Sequence, residues 1–207
     1  MTDKNWKKFV DIVRNRTTFD VAACLIIDSP WLPSFAGCDT KEYLFIQERW
    51  IDTNIKVLNR FPDMIFLPGN WVEFGLVIEP SAFGCPVKWW KDTPPTASHI
   101  ISDTSQISNL KVPNPQTEGL MPVALQMQSY LEPKMAELGY PTRMVAARGP
   151  LAVASQLRGV TELLVDIKIE PDAVHALINL CTESAISWRK HKKKTWIKLK
   201  EYYFLMI

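Results

Sequence analysis

Hydrophobic residues along the chain fall into short continuous runs separated by stretches with helical spacing, and this alternation predicts β–α units. Trp6, Phe9, Val10 and Val13 lie at i, i+3, i+4 and i+7, one stripe of a short N-terminal helix. Val21 to Ile27 is an unbroken apolar run of strand length that stops at Asp28-Ser29-Pro30. A run with no polar alternation predicts a strand buried on both faces, as in a parallel sheet. Thr40 is placed to cap a helix carrying Leu44, Ile51, Ile55 and Leu58, and Met64–Leu67 is a second short strand closed by Pro68-Gly69.

The second half repeats the order. Glu79 to Gly84 reads as a helix start and stop, and Val87–Trp90 as a further strand. Residues 91–122 hold five prolines and eight serines and threonines, an excursion too long to be an ordinary connection. Val123, Met127, Tyr130, Leu131 and Leu138 predict a helix kinked at Pro133 and ended by Gly139. Thr142–Ala147 is a strand, Arg148-Gly149 a turn, and Pro150 a first helical residue with Gly159 beyond the far end. A last helix begins at Glu170-Pro171-Asp172 and buries Val174, Leu177, Ile178, Cys181 and Trp188. The pattern predicts an α/β fold with a parallel sheet, either open and doubly wound or part of a (β/α)8 barrel.

Composition changes the picture little: 207 residues, 47% hydrophobic and 22% charged, describe an ordinary globular chain. No apolar run is long enough to span a bilayer and the first residues lack an apolar leader, so the expectation is a cytoplasmic protein without a membrane partner. Cys24, Cys38, Cys85 and Cys181 show no metal-ligand spacing and are expected as reduced, buried thiols. No Gly-rich phosphate loop is present.

Charge is distributed unevenly. The net charge is +2, yet Arg189 to Ile207 holds seven basic residues against Glu201 alone, leaving the first 188 residues net acidic. A nucleic-acid surface would have to rest on Arg189–Lys194, and none is expected. The abrupt shift in composition instead divides the chain into residues 1–188 and a basic tail, 189–207, foreign to the rest, as a frameshift or truncation after Trp188 would produce.

Three blocks in order, Glu79-Pro80-Ser81-Ala82-Phe83-Gly84, then Ala147-Arg148-Gly149-Pro150-Leu151 running to Gly159, then Asp166 through Glu170-Pro171-Asp172 to Glu183, resemble landmarks of the uroporphyrinogen decarboxylase superfamily. That superfamily includes the cobalamin-dependent methyltransferases. The resemblance covers roughly residues 55–188 and implies a (β/α)8 TIM barrel, here a truncated partial barrel, with its site at the C-terminal ends of the strands. It also implies one of two functions, beside which truncation sets a third. A corrinoid-dependent methyltransferase would move a methyl group from methylcobalamin to a zinc-bound thiol, with zinc and cobalamin serving the full-length parent. A uroporphyrinogen decarboxylase of porphyrin biosynthesis would need no cofactor. An inactive remnant or binding module would catalyse nothing.

The decarboxylase branch carries an essential aspartate where this chain has Gly75, and an arginine motif where it has Asp28-Ser29-Pro30-Trp31. No catalytic residue is therefore assigned, and no metal ligand. Candidate substrate contacts are Arg148, Asn70, Trp71, Glu73, Glu79 and Asp28, each at or just after the end of a predicted strand or at a helix start. Trp71, Phe74, Phe83, Trp89 and Trp90 could form a wall against a tetrapyrrole or corrin ring. His99 is a weaker candidate. The partners implied are a small molecule or a corrinoid protein, with a homodimer through exposed barrel edges.

Overall fold

The computed structural model describes residues 1–14, 23–196 and 203–206, with side chains through Lys193. Helix α1 (Asp3–Val13) is capped by Thr2 and lies against β2, where the Asn5 side chain donates to the carbonyls of Pro62 and Met64 at 2.9 and 3.1 Å. Strand β1 (Cys24–Ile26) pairs in parallel with β2 (Ile65–Leu67), Cys24 opposite Ile65 and Ile26 opposite Leu67. Between them come α2 (Trp31–Ala36), α3 (Thr40–Phe45) and α4 (Gln47–Arg60). This is one right-sized β–α–β crossover.

The remaining elements are α5 (Ile78–Ala82), a small antiparallel hairpin of β3 (Val87–Lys88) and β4 (Thr96–Ala97), a 3₁₀ turn at Thr104–Asn109, and α6 (Met121–Glu137). Then follow β5 (Met144–Ala147), α7 (Pro150–Arg158), α8 (Val160–Ile169), α9 (Pro171–Trp196) and β6 (Tyr203–Met206). Strands β5 and β6 pair in parallel with Met144 opposite Tyr203. The chain is thus a mixed α/β fold with two parallel strand pairs, β1–β2 and β5–β6, among the described residues.

Two hydrophobic clusters hold the elements. The larger joins Tyr43, Leu44, Trp50, Val57, Phe66, Phe74, Leu131, Met135 and Trp188; the smaller joins Cys85, Ile101, Leu157, Leu163, Leu177 and Cys181. Helix α9 spans both clusters, through Trp188 and through Cys181. It packs on β5, α6, α7 and α8.

Several local expectations change. The strand read over Val21–Ile27 is three residues long where described, Val21 and Ala22 lying outside the described residues, and it is exposed rather than buried on both faces. Only one of its edges meets a neighbouring strand, so Leu25 and Ile26 have no second layer within the described chain. Cys24 is exposed for the same reason, while Cys85 and Cys181 are buried and all four thiols are free. The helix read from Thr40 is two helices, broken at Ile46, and its cap is Asp39: the Asp39 carboxylate accepts the Glu42 N–H, and Glu42 reaches back to the Asp39 N–H. On α4 the buried face is Trp50, Thr53, Asn54 and Val57, one step round from the predicted stripe. On α6, Met127 and Leu131 of the predicted stripe are buried, whereas Val123 and Tyr130, with Leu138 just beyond the helix, are exposed; Ala124, Gln128 and Met135 complete the inner face. Val87–Trp90 contributes only to the hairpin, outside the parallel pairs. By contrast β5 is buried throughout, α7 begins at Pro150, and Gly159 with a φ of +102° ends it.

Candidate active site

The loops that leave β1, β2 and β5 converge on one guanidinium. Asp28 follows β1, Asn70 to Gly75 follow β2, and Arg148 is the first residue after β5. The Arg148 Nη2 donates to the Gly75 carbonyl at 2.9 Å and faces the Asp28 carboxylate at 3.4 Å. Its guanidinium lies 5.2 Å from the centre of the Trp71 ring, within cation–π range. From the other side the Glu79 carboxylate of α5 accepts the Arg148 main-chain N–H at 3.0 Å. Arg148, Glu73 and Glu79 are all buried, and Asp28 is the part-exposed member.

Glu73 fixes the two loops to one another. Its Oε1 accepts the Ser29 N–H at 3.0 Å and its Oε2 accepts the Gly75 N–H. Burial pushes this carboxyl above the usual range, the two N–H donors pull it back, and the Asp28 charge raises it again. Beneath it Tyr43 is fully enclosed; burial and the Glu73 charge hold its phenol well above the ordinary value.

A second network carries no charge at its centre. The Val72 N–H donates to Gln128 Oε1 at 2.8 Å, Gln128 Nε2 to Thr142 Oγ1 at 3.2 Å, and Thr142 Oγ1 to the Asn70 carbonyl at 3.2 Å. Asn70 Nδ2 donates to the Tyr140 carbonyl. These bonds lock the β2 exit against α6 and the start of β5, in place of ladder bonds between β2 and β5. Asn70 is thereby committed to the backbone, apart from Arg148.

Lys192 closes the site from below. Its Nζ donates to the Ala146 carbonyl at 2.7 Å and lies 4.4 Å from the Trp188 ring centre. Burial lowers its ammonium to about 8, with Glu79 opposing the shift and Arg148 adding to it. The sequence gives no hint of this role, because Lys192 is one of a row of basic residues and only the phase of α9 turns it inward. Tyr43 and Gln128 were missed for a like reason: each lies within a helix, and only the packing of that helix turns it inward.

Of the six candidates, Asp28, Trp71, Glu73, Glu79 and Arg148 come together and Asn70 stands beside them. The predicted aromatic wall does not form. Phe74 is a core residue packed against Phe45 and Trp89, Phe83 joins the second cluster, and Trp90 stacks with Lys88 at the hairpin. His99 is held by the Gln156 carbonyl at 2.8 Å on α7, away from Arg148.

The uroporphyrinogen decarboxylase (URO-D) family model matches residues 34–191. The chain belongs to that family. A solved methyltransferase from Methanosarcina mazei superposes with a TM-score of 0.70 at 16% identity, covering 92% of this chain and 56% of its own, a likeness of fold. The chain therefore spans little more than half the length of that structure. No curated protein sequence matches it significantly.

Gly75, where the family resemblance sets the decarboxylase aspartate, has a φ of +59°, and a Cβ there would stand 3.1 Å from Pro94 Cβ. An open groove of about 400 Å³ runs from Asp28 along Leu25, Ile26, Trp31, Phe61 and Phe66. Apart from Asp28 its lining is apolar. A zinc centre finds no ligands here: among the described residues no three His, Cys, Asp or Glu side chains come together as a cation site. Burial also pushes the Cys85 and Cys181 thiols up to about 11 and about 12, against thiolate formation. No helix of the described residues is long and apolar enough to cross a membrane.

Proposed function

We propose that this URO-D family chain supplies the opening β–α units of a (β/α)8 barrel that transfers a methyl group from a corrinoid donor to a thiol. The observation that carries this reading over porphyrinogen decarboxylation is Gly75. The decarboxylase branch places its acid at this point; here the backbone is left-handed, Pro94 closes the space a side chain would need, and the carbonyl is engaged by Arg148.

Charge supports the same choice. A porphyrinogen bearing eight carboxylates would meet Asp28 first, the part-exposed acid of the cluster, because Arg148 is buried and engaged by Gly75 and Asp28. A neutral corrin edge meets no such repulsion in the apolar groove beside Trp31 and Phe61. In this reading the chain's own residues do positional work. Glu73 and Arg148 hold the loops after β1, β2 and β5 in one fixed arrangement, Trp71 covers the guanidinium, and the groove excludes water from the ligand edge.

Titration of the full chain into methylcobalamin, followed in the visible bands, tests the proposal. A saturable spectral change, weakened by Trp31→Ala and not produced with uroporphyrin III, is expected. Saturable binding of uroporphyrin III with methylcobalamin unaffected would overturn it.

A further inference from the structure

Composition sets residues 189–207 apart from the rest of the chain, and the family match stops at residue 191. The fold shows no such boundary. Helix α9 runs from Pro171 to Trp196 without a break. Its inner face continues in phase: Cys181, Ala185, Trp188 and Lys192 are all buried and follow one another at steps of three or four residues. A lysine in a basic row ordinarily turns to solvent, yet Lys192 is 2% exposed.

Lys192 and β6 both act on β5. A buried ammonium is costly unless it is bonded, and the Lys192 Nζ donates to the Ala146 carbonyl at 2.7 Å beneath the Trp188 ring, 4.4 Å away. Strand β6 pairs along the whole of β5, with Met144 through Ala147 each opposite one residue of Tyr203–Met206. No other strand lies beside β5 among the described residues. The ladder and the ammonium that hold this strand thus both come from beyond residue 191. Strand β5 ends at Ala147, and Arg148 follows directly. A shift of β5 would carry the Arg148 N–H off the Glu79 carboxylate, now at 3.0 Å, and its Nη2 off the Gly75 carbonyl, now at 2.9 Å. Hydrogen bonds weaken steeply as their geometry departs from linear, so a displaced β5 loosens both.

We infer that Lys192 and β6 form a strap on β5 that sets the position of Arg148, and that Lys192 is a positioning residue of the site. The inference rests on this geometry alone and stands or falls separately from the chemistry proposed for the site.

Amide hydrogen exchange of the full chain, read residue by residue by NMR, tests the inference, with the amides of α4 reporting global opening. Lys192→Met keeps the bulk and removes the donor. Exchange at the Arg148 amide is expected to rise about tenfold or more while α4 is unchanged. The Trp71 indole N–H resonance, whose ring lies 5.2 Å from the guanidinium, should shift in the same variant. In a parallel ladder alternate residues of a strand face a given neighbour. One of Phe204→Pro and Leu205→Pro therefore removes an N–H bonded to β5, and the other sets its proline on the edge that has no neighbour among the described residues. The two should differ about tenfold or more in exchange over Val145–Arg148. An Arg148 amide and a Trp71 indole unchanged in Lys192→Met, a loss of protection shared equally by α4, or two proline variants that behave alike overturns the inference.

Discussion

The Glu79 carboxylate and the Arg148 main-chain N–H are joined at 3.0 Å across two β–α units, both groups buried. One carboxylate from α5 therefore sets the turn between β5 and α7, and with it the direction of the Arg148 side chain. Glu79→Ala leaves a buried N–H without an acceptor and should cost about 1–3 kcal/mol in urea unfolding. Glu79→Gln retains an acceptor oxygen and should lose less. Equal losses for the two variants would mean that the bond does not fix the turn.

Gly75 offers a test of the choice between the two branches of the family. Gly75→Asp introduces the decarboxylase's residue type at a φ of +59° and presses a Cβ towards Pro94. The expected loss is about 1–2 kcal/mol of stability from backbone strain, without gain of decarboxylation. A stable Gly75→Asp protein that decarboxylates uroporphyrinogen would show that the backbone can accept the acid.

Lys192 makes stability depend on alkaline pH. Burial lowers its ammonium from 10.5 to about 8, so between these values the unfolded chain binds more protons than the folded one. Its contribution is fully present above the unfolded value and lost as pH falls through the folded one. Stability of the wild type relative to Lys192→Met should therefore rise across that interval, with Glu79 and Arg148 as the charges that face it. Parallel pH profiles for the two proteins would place Lys192 in solvent.

Arg158 ties the long excursion to α8. Besides Asp166, its Nη1 donates to the carbonyls of Ile101 and Ser102 at 3.2 and 2.8 Å. Arg158→Met strands a buried Asp166 carboxylate and should cost about 3 kcal/mol. Limited proteolysis is expected to move to residues 102–118. Unaltered cleavage sites would show that the excursion is held by other contacts.

The parts of the fold legible in the sequence were those with backbone punctuation. Pro150 and Gly159 bracket α7 because proline suits a first helical position and glycine suits a left-handed cap, whatever packs around them. The exposure of β1 was not legible, since an apolar run records what a strand can pack against and not whether a neighbour is present. Helix α8 went unread for a related reason: it starts directly after Gly159 with no polar side-chain cap, and its apolar residues lie mostly on the exposed side. Asp28, Trp71, Glu73 and Arg148 converge because strand ends in an α/β fold meet at one pole, a property of topology that their positions in sequence already carry, and Glu79 joins them from α5. Lys192 and Tyr43 needed the helix phases, which only packing sets.

The most direct measurement is equilibrium binding of the purified full chain to methylcobalamin and to uroporphyrin III in competition. The account predicts a saturable methylcobalamin complex that an excess of the octacarboxylate does not displace. A saturable uroporphyrin III complex, with methylcobalamin left free, would contradict it.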